Sequence, residues 1–549
     1  MNSAKLEMLN IKNKTIGGVF FEAATTWPEA IFFISPKTLV TPMLELSYSK
    51  ALKRVNAYEH NFKKAGYGSG DRVALLLGNR VEHYLIKIAA NNLGISIVPL
   101  NPDSSPSEVI YILNDSNSIL LISDKNHIEL VNDINKKYSK YIEVFDVDSL
   151  KNLVPKHDKN SNWMNITPKS ESSLLYTSGT TGHPKGCIMS HEYELMCGDS
   201  YRSIGPPVQL AINKDRIFNP LPSFHINAGV VTFIGSILTG NCLIQPMRFS
   251  ASTWWQDIKD TKATIFHYLG VVISVILKTL NETDVDLSFI RLGLGAGVEP
   301  ALHREFEDKF QIPLVEIWGM TEMCRIIAAC DEPRLIHTRA MGRPRKGLEI
   351  KVVDDNGKEV PHGSQGEMLT RHSEKTPRKG AFSGYLGKPQ ETEIAWRGGW
   401  FHTGDTVIMD QTKMLYFVDR KKNIIRRAGE NVAAAEIENC LLEHSLVLAV
   451  ACLAVPDSIR EEEILSCIIL SGNSLKSETL AKSLFIHVYN SLAYFKAPGY
   501  ILFVDELPIT STQKILKHKM FPNNEDPLMK PNIFDFRDLK IRKNRKEKH

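Results

Sequence analysis

Short apolar runs alternate with stretches of helical length in the first quarter of the chain, and this alternation restricts the fold more than any other feature. Each apolar run has the length of a buried strand, and Gly94 follows the first helical stretch, where glycine commonly ends a helix. The predicted elements are strand 72–77, helix 81–93, strand 95–100, helix 108–114 and strand 119–123. Apolar strands separated by helices form parallel sheets covered on both faces. The sequence therefore predicts the α/β class.

The chain is too long for one compact core. It has 549 residues, of which 43% are hydrophobic and 23% charged, so at least two domains are expected. The last part predicts a compact α+β unit with a helix at 433–443, strands at 447–455 and 464–470, a helix at 477–492 and a strand at 500–504. We therefore expect a large N-terminal domain with parallel-rich sheets covered by helices, and a small α+β C-terminal domain.

The composition gives little sign of a nucleic-acid or membrane partner. The formal net charge is +4, and the basic excess lies in residues 537–548, which we interpret as a solvated tail; a nucleic-acid or membrane role for it is the less favoured alternative. The eight cysteines show no CxxC pair and no Cys/His ligand spacing, which predicts no zinc site or disulfide framework and fits a reducing compartment. The longest apolar stretch, 267–277, is too short to cross a bilayer, so we expect a cytoplasmic protein.

One loop concentrates hydroxyls, glycines and a lysine directly after an apolar run. Glycines permit the positive φ angles that let backbone N–H groups converge on an anion, and the hydroxyls and the ammonium group add donors. The candidate phosphate-binding residues are Thr177, Ser178, Gly179, Thr180, Thr181, Gly182 and Lys185. The spacing differs from that of a P-loop, because Lys185 lies three residues after Gly182. A flexible polar turn is the alternative interpretation.

A second motif, residues 316–322, combines an aromatic ring, a glycine, a hydroxyl and a carboxylate within seven positions. The ring is suited to packing on a flat base, the hydroxyl to contacting a phosphate, and the carboxylate to binding magnesium. The preceding segment, 293–297, is rich in glycine, as is needed where a ring or an acyl group approaches the backbone closely. A tight strand turn would explain that segment equally well.

The loop at 174–186 resembles the signature of the AMP-forming adenylate enzymes, the superfamily of acyl-CoA synthetases, luciferases and peptide-synthetase adenylation domains. Within that superfamily, residues 426–432 and 456–462 are most similar to the crotonobetaine/carnitine-CoA ligase group. The resemblance rests on five ordered motifs between Leu174 and Lys517, and so covers most of the chain. It implies binding of ATP, Mg²⁺ and CoA.

The resemblance assigns roles in a nucleotide site. Trp318 would lie beside adenine, Thr321 would contact the α-phosphate and Glu322 would hold magnesium. Family members often have tyrosine where this chain has Trp318, a change that keeps a stacking face and loses the phenol hydroxyl. Asp405 and Arg420 would bind the ribose. The remaining predicted nucleotide contacts are Gly295, Ala296, Gly297, Glu316 and Ile317.

The resemblance also implies that the C-terminal domain is mobile. Lys422 would be its hinge, Lys514 would be catalytic in adenylation together with Thr321 and Glu322, and Gly429 with Glu430 would face the site in the thiol step. The family usually has glycine directly before that lysine, where this chain has Gln513. The predicted domains are a nucleotide- and acid-binding domain at 1–420, a hinged domain at 421–525 and a basic tail at 526–549.

Three residues are candidates for the pocket that holds the acid. His225 and Asn227 follow a strand that ends in a proline-rich turn, and by resemblance this segment borders the acyl site. Tyr268 lies on the strand predicted at 263–270, which would lead to a wall of the same pocket. A packed imidazole and an apolar core strand are the alternatives. Polar and aromatic side chains favour a short polar acid over a long fatty chain, and an aromatic ring could attract a quaternary ammonium group.

The predicted function is that of an ATP-dependent, AMP-forming acid-CoA ligase. Such an enzyme would activate a short polar or betaine-like carboxylic acid as an acyl-adenylate and transfer it to CoA, with catalysis by positioning and charge neutralisation. The sequence leaves two alternatives open: a nucleotide-binding regulatory protein that has lost adenylation, which Gln513 motivates, and an enzyme that loads a separate carrier protein. We expect no nucleic-acid partner and no membrane span.

Overall fold

A computed structural model of the chain describes residues 8–137, 142–147, 154–157, 165–177, 184–279, 286–427, 430–457, 461–472, 475–492, 494–509, 515–522 and 525–541. The helices in these ranges are α1 Ile16–Thr26, α2 Tyr48–Ala65, α3 Val81–Asn91, α4 Pro106–Ser116, α5 Ile128–Lys137, α6 His191–Arg202, α7 Phe233–Thr239, α8 Trp254–Thr261, α9 Gly270–Thr279, α10 Pro300–Phe310, α11 Pro389–Ala395, α12 Ala434–Leu442 and α13 Glu478–Ser491.

The strands are β1 Ile31–Ser35, β2 Leu44–Ser47, β3 Arg72–Leu76, β4 Ser96–Pro99, β5 Leu120–Ser123, β6 Glu143–Asp146, β7 Glu171–Thr177, β8 Lys185–Ser190, β9 Arg216–Phe218, β10 Cys242–Ile244, β11 Ile265–Leu269, β12 Leu292–Ala296 and β13 Leu314–Met320. They continue with β14 Met323–Ala328, β15 Ala340–Gly342, β16 Glu349–Val353, β17 Gln365–Arg371, β18 Gly384–Tyr385, β19 Phe401–Met409, β20 Leu415–Arg420, β21 Ile424–Arg427, β22 Glu430–Ala433, β23 Val447–Asp457, β24 Glu461–Leu470, β25 Tyr500–Phe503 and β26 Ile533–Asp535.

Internal packing divides the chain into two compact units. The first consists of residues 1–349 and 370–401, and the second of residues 350–369 and 402–549. The domain boundary predicted at residue 420 refers to a hinge between two domains. Internal packing does not test the position of a hinge, so this boundary stays a prediction.

The first unit contains two parallel-rich sheets. One has the strand order β14-β13-β12-β11-β9-β10-β1-β2, in which the six central strands are parallel and the two edge strands antiparallel. The other has the order β18-β8-β7-β4-β3-β5-β6, in which β8 is antiparallel to its two neighbours, β18 and β7, and the other pairs are parallel. Because the carboxyl ends of parallel strands share one edge, each sheet gathers its following loops there.

Local sequence explains where several helices of this unit begin and end. Helix α4 starts after Ser105, whose hydroxyl accepts the Glu108 N–H while the Glu108 carboxylate accepts the Ser105 N–H. Helix α2 stops at Gly66, which has φ of 93° and so adopts a conformation that costs glycine little. These local signals mark where α4 begins and where α2 ends.

A buried ion pair ties two helices to the strand that leads into the candidate phosphate loop. Lys87 of α3 lies 2.8 Å from Glu194 of α6, and their side chains are 2% and 0% exposed. The hydroxyls of Ser172 and Ser173 on β7 donate to the same carboxylate oxygen, at 2.7 and 2.6 Å. A buried carboxylate needs such partners to offset its desolvation, so this network fixes β7 between the helices.

The second unit is built on antiparallel pairs. Strands β19 and β20 form one pair, and the order β22-β21-β24-β25-β26, with β23 beside β24, forms a separate sheet. Helices α12 and α13 pack on that sheet through a cluster that includes Ile437, Leu441 and Phe485, each at most 2% exposed. The mixed sheet and its helices form the predicted α+β arrangement.

The interpretation of residues 537–548 as a solvated tail is wrong where the structure describes them, at residues 537–541, because this stretch is bound to the second unit. Strand β26 pairs antiparallel with β25, and Phe536 is 4% exposed within the core of the second unit. The Lys540 side chain is fully buried beside Glu463. Lys540 can be buried here because Glu463, an acidic partner from an earlier strand, neutralises it. Residues 542–549 lie outside the described part of the chain.

Candidate functional site

Three neighbouring parallel strands bring predicted site residues side by side in the first unit. In the register of β11, β12 and β13, Tyr268 lies opposite Gly295, and Gly295 lies opposite Glu316. Tyr268 and Gly295 each lie one residue before the carboxyl end of their strand, and Glu316 of β13 is level with them in the register. This is the edge at which open α/β sheets bind ligands. The structure therefore places residues from three separate motifs at one edge.

The backbone of residues 295–297 is open to close approach. A Cβ atom on Gly295 would lie 2.3 Å from the carbonyl oxygen of Tyr268, so only glycine fits between the strands. Gly297 has φ of 79°, and a Cβ there would meet no atom within 4 Å. Ala296 lies between them as the last residue of β12. A flat ring could lie against this stretch, which fits the predicted nucleotide contact.

Glu316 accepts hydrogen bonds from a side chain and from the backbone. The Tyr268 hydroxyl donates to its Oε1 at 2.7 Å, and the Gly297 N–H donates to its Oε2 at 2.7 Å. Burial raises the pKa of Glu316 to about 7, against the opposing effect of these two donors. Near neutral pH this carboxyl group therefore exchanges a proton, a property that the sequence did not indicate.

Tyr268 and Trp318 offer little surface to a ligand in this structure. Tyr268 is 0% exposed, its ring packs in the core cluster with Phe266, and its hydroxyl is bound to Glu316. Trp318 is 6% exposed and lies opposite Ile327 on β14. The preceding Ile317 is half-buried on the same strand. The predicted adenine-stacking role of Trp318 stays a prediction.

A tyrosine that sequence reasoning missed links the second motif to the phosphate loop. The Tyr385 hydroxyl donates to Glu322 Oε1 at 2.9 Å, and the Lys185 ammonium lies 5.0 Å from the centre of the Tyr385 ring. Lys185 also forms an ion pair with Glu391 of α11. The charge of Glu322 adds to burial in raising the pKa of Tyr385, so the phenol stays a hydrogen-bond donor.

The same cluster includes the backbone of Thr321 and one end of the loop. The Tyr193 hydroxyl donates to the Thr321 carbonyl at 2.7 Å, and Thr177 lies opposite Lys185 in the β7–β8 pair. Glu322 is 8% exposed and supplies carboxylate oxygens, the ligand type that Mg²⁺ prefers. The chemistry of the Glu322 carboxylate therefore fits a magnesium ligand.

Several predicted residues lie outside the described part of the chain. These are Ser178, Gly179, Thr180, Thr181, Gly182, Gly429, Gln513 and Lys514. For Lys422 and Glu430 the structure describes the backbone only, in the turn Lys421–Asn423 and at the start of β22. Their roles stay predictions.

The predicted acid-binding residues follow β9 at the same sheet edge. The Asn219 amide donates to Asn227 Oδ1 at 2.8 Å, and Asn227 begins a π-helical segment, Asn227–Thr232, that leads into α7. His225 Nε2 is buried and has no hydrogen-bond partner among the residues that the structure describes. Burial lowers the pKa of His225 to about 4, so the imidazole is neutral at pH 7. A neutral ring with a free polar atom can bind a polar group of a ligand.

The predicted ribose residues form a pair within the second unit. Asp405 of β19 lies opposite Arg420 of β20, and Arg420 Nε is 2.8 Å from Asp405 Oδ1. Asp405 is 1% exposed, and its N–H donates to the Thr403 hydroxyl. The arginine neutralises the buried carboxylate and orients it, as a carboxylate that accepts two hydroxyls requires.

Comparison with known protein families identifies the family to which the chain belongs. The AMP-binding enzyme family matches residues 20–386, and the AMP-binding enzyme C-terminal domain matches residues 436–514. The first match covers more than half of the chain, so the chain belongs to the AMP-binding enzyme family.

Relatives and solved structures agree with this assignment. The chain is 28% identical over 519 residues to the sulfoacetate-CoA ligase of Cupriavidus necator, covering 92% of this chain and 97% of that protein. It is 28% identical over 497 residues to the crotonobetaine/carnitine-CoA ligase of Proteus mirabilis, covering 86% and 92%. A structure of o-succinylbenzoate-CoA synthetase from Bacillus subtilis with an acyl-adenylate intermediate matches with a TM-score of 0.79 at 24% identity, over 93% of this chain and 98% of that one.

These comparisons confirm three predictions: the superfamily, the α/β fold class with its smaller C-terminal α+β domain, and the enzyme class of AMP-forming acid-CoA ligase. The match to the AMP-binding enzyme family also supports the predicted binding of ATP. Among the described residues, no helix combines the length and apolarity needed to cross a membrane.

Proposed function

We propose that the enzyme activates a short polar carboxylic acid with ATP and transfers the acyl group to CoA. Two relatives support the acid class, because sulfoacetate and crotonobetaine or carnitine are all short acids that carry a second polar group. A betaine-like acid is our first candidate, and sulfoacetate is the second. The two differ in the sign of the second charge, so one substrate panel separates them.

The observation that carries the proposal is that His225 Nε2 is buried without a hydrogen-bond partner in the described part of the chain. A long fatty chain would leave this buried Nε2 without a partner, which costs free energy, whereas a polar acyl group can bind it. The neutral state of the ring suits either an ammonium-bearing or a sulfonate-bearing acid. Asn227 adds a second polar side chain in the same segment.

The proposed chemistry has two steps. In the first, a carboxylate oxygen of the acid attacks the α-phosphorus of ATP, the bond to the pyrophosphate oxygen breaks, and acyl-adenylate and pyrophosphate form. In the second, the CoA thiol loses its proton and attacks the acyl carbon, and AMP leaves with the bonding electrons. Both steps depend on positioning and on neutralising negative charge, so a nucleophilic side chain is unnecessary.

The proposed roles follow the predicted assignments. Glu322 would hold Mg²⁺, which neutralises phosphate charge when bound, and Tyr385 orients the carboxylate that does so. Lys185 with the phosphate loop would bind the phosphates, and Asp405 with Arg420 the ribose. Lys514 would serve the first step, and Gly429 with Glu430 the second; Lys422 would act as the hinge between the steps.

Pyrophosphate release, measured with ATP and Mg²⁺ across a panel of acids with and without CoA, tests the proposal. The panel contains crotonobetaine, carnitine, γ-butyrobetaine, sulfoacetate, short saturated acids, benzoate and a long fatty acid. We expect release with a short polar acid and thioester formation only when CoA is added. Turnover of the long fatty acid alone would refute the acid class.

Two outcomes would favour the alternatives. ATP binding without acid-dependent pyrophosphate release would indicate a regulatory protein, and transfer to a carrier protein's thiol in place of CoA would indicate a carrier-loading enzyme. A His225→Ala variant supplies the matched test of the pocket. It should lower kcat/KM for the polar acid by about tenfold, through the loss of one hydrogen bond to the acid, and leave ATP affinity unchanged.

A further inference from the structure

Three charged side chains from distant parts of the second unit meet in its interior. Arg427 Nε donates to Glu463 Oε2 at 2.8 Å and to Oε1 at 3.0 Å, and Lys540 Nζ donates to Oε1 at 2.6 Å. The side chains of Glu463 and Lys540 are 0% exposed, and that of Arg427 is 5% exposed. Burying three charges is unfavourable unless each is paired, so this cluster has few alternative arrangements.

Lys540 belongs to a segment, residues 533–541, that we call the C-terminal clamp. The clamp starts with β26, and the Arg537 guanidinium then pairs with Asp457 at 3.2 Å and lies 4.8 Å from the centre of the Tyr500 ring. The C-terminal domain of the family matches only as far as residue 514. The clamp is therefore a feature of this chain outside the matched family domain.

The C-terminal clamp and the residue before β25 pack closely around Glu463. The Phe536 N–H donates to the Gly499 carbonyl at 2.8 Å, and a Cβ on Gly499 would lie 2.3 Å from Glu463 Cγ. Glycine at this position lets the Glu463 side chain pass between β25 and the clamp. The Tyr489 hydroxyl donates to the Ile541 carbonyl at 2.7 Å and holds the other end of the clamp.

The opposite end of the cluster lies at the start of a hairpin. Arg427 is the last residue of β21, and Glu430 is the first residue of β22, directly opposite in the register. Arg427 also lies opposite Glu461 of β24. The side chain of Arg427 is thus held by Glu463 while its backbone belongs to the strand pair that carries Glu430.

We propose that Lys540 is a positioning residue for thioester formation, which fixes Glu463 and through it Arg427 and the pairing of β21 with β22. This inference rests on the proposed function, in which Gly429 and Glu430 serve the thiol step. It gives the C-terminal clamp a specific role: it holds the hairpin for the second half-reaction and leaves the first half-reaction unaffected.

The test is a Lys540→Met variant of the full chain, with Lys530→Met as its matched control. Lys530 lies just before the clamp and pairs at the surface with Glu525, so its loss should change nothing. Acid-dependent pyrophosphate release without CoA measures adenylation, and CoA-dependent thioester from preformed acyl-adenylate measures the second step. For Lys540→Met we expect the second rate to fall by about tenfold to a hundredfold, as for other misplaced site residues, with adenylation unchanged.

A second variant keeps the test decisive if Lys540→Met does not fold. Arg537→Gln loosens the clamp from a side chain that is 37% exposed, and it should give a smaller loss confined to the same step. An equal loss in both half-reactions, or no loss in a folded variant, would overturn the inference. Failure of the proposed function itself is distinguishable, because the unmodified enzyme would then release no acid-dependent pyrophosphate.

Discussion

Tyr385→Phe removes one hydroxyl beside Glu322, the proposed magnesium ligand. The substitution keeps the ring on which the Lys185 ammonium lies and removes only the donor to Glu322, at 2.9 Å. A hydrogen bond to a charged acceptor contributes about 1.5–3 kcal/mol, so complete loss of this orientation would slow adenylation by about tenfold to a hundredfold. We expect the effect to appear chiefly as a weaker response to Mg²⁺.

Two measurements check this expectation. ATP affinity at a series of Mg²⁺ concentrations needs no knowledge of the acid, and the midpoint should move to higher Mg²⁺ in Tyr385→Phe. Acid-dependent pyrophosphate release, once an acid is identified, should fall at fixed Mg²⁺ and recover in part when Mg²⁺ is raised.

Tyr416→Phe is the matched control. Its hydroxyl donates to Asp410 Oδ2 at 3.1 Å, within the second unit, so the same atom is removed from the same kind of bond. This variant should keep its Mg²⁺ dependence. If Tyr385→Phe folds and also responds to Mg²⁺ as the unmodified enzyme does, then the hydroxyl does not orient Glu322 for metal binding and the reasoning is wrong.

Three other substitutions test neighbouring features. Lys87→Met leaves Glu194 buried and unpaired, so urea denaturation should show a loss of about 3–5 kcal/mol of unfolding free energy, and a loss below about 1 kcal/mol would contradict the buried geometry. The pKa of Glu316 is about 7 in the folded chain, and its ordinary value is 4.5. Between these two pH values the folded chain therefore keeps a proton on Glu316 that the unfolded chain has released. Stability should therefore fall with rising pH, by about 3 kcal/mol in total, and Glu316→Gln should remove that slope; parallel pH curves for the two proteins would refute the shift. Asp405→Asn should weaken ATP binding by about tenfold in calorimetry by removing the charge that Arg420 orients, and an unchanged affinity would exclude Asp405 from the ribose site.

Elements defined by a local pattern could be predicted closely from the sequence. The helix predicted at 81–93 is observed as Val81–Asn91, and the strand predicted at 500–504 is observed as Tyr500–Phe503. In both cases the period of the apolar residues and a nearby turn residue fix the element within a few positions. The ordered motifs then gave the superfamily, because their order is more specific than any propensity.

Contacts between distant segments could not be predicted in this way. Tyr385 and Glu322 are 63 positions apart in the chain, and nothing in the local pattern of either residue indicates the other. Tyr268 was predicted at a pocket wall, but a buried strand and a pocket strand have the same apolar pattern. Only the packing of β11 against its neighbours shows that the side chain is fully buried.

The burial of charged residues near the C-terminus could not be predicted from the local sequence either. A run of basic residues normally indicates a solvated segment, because the energy of burying each charge is large. Here the acidic partners Asp457 and Glu463 lie 80 and 77 positions earlier than Arg537 and Lys540. Charge patterning along the sequence cannot indicate partners that only the fold brings together.

The protonation states at the carboxyl edge of the first unit determine how that edge can meet an anionic substrate. An ionised carboxylate there would repel the acid, but Glu316 is bound by Tyr268 and Gly297 and is close to half-protonated at pH 7. His225 is neutral as well. At pH 7 His225 therefore adds no charge to this edge and Glu316 adds less than a full negative charge, so hydrogen bonding and shape would contribute to the selection of the acid. Since Glu316 ionises as the pH rises above 7, the affinity for the acid should decline in that range, and Glu316→Gln should abolish the decline.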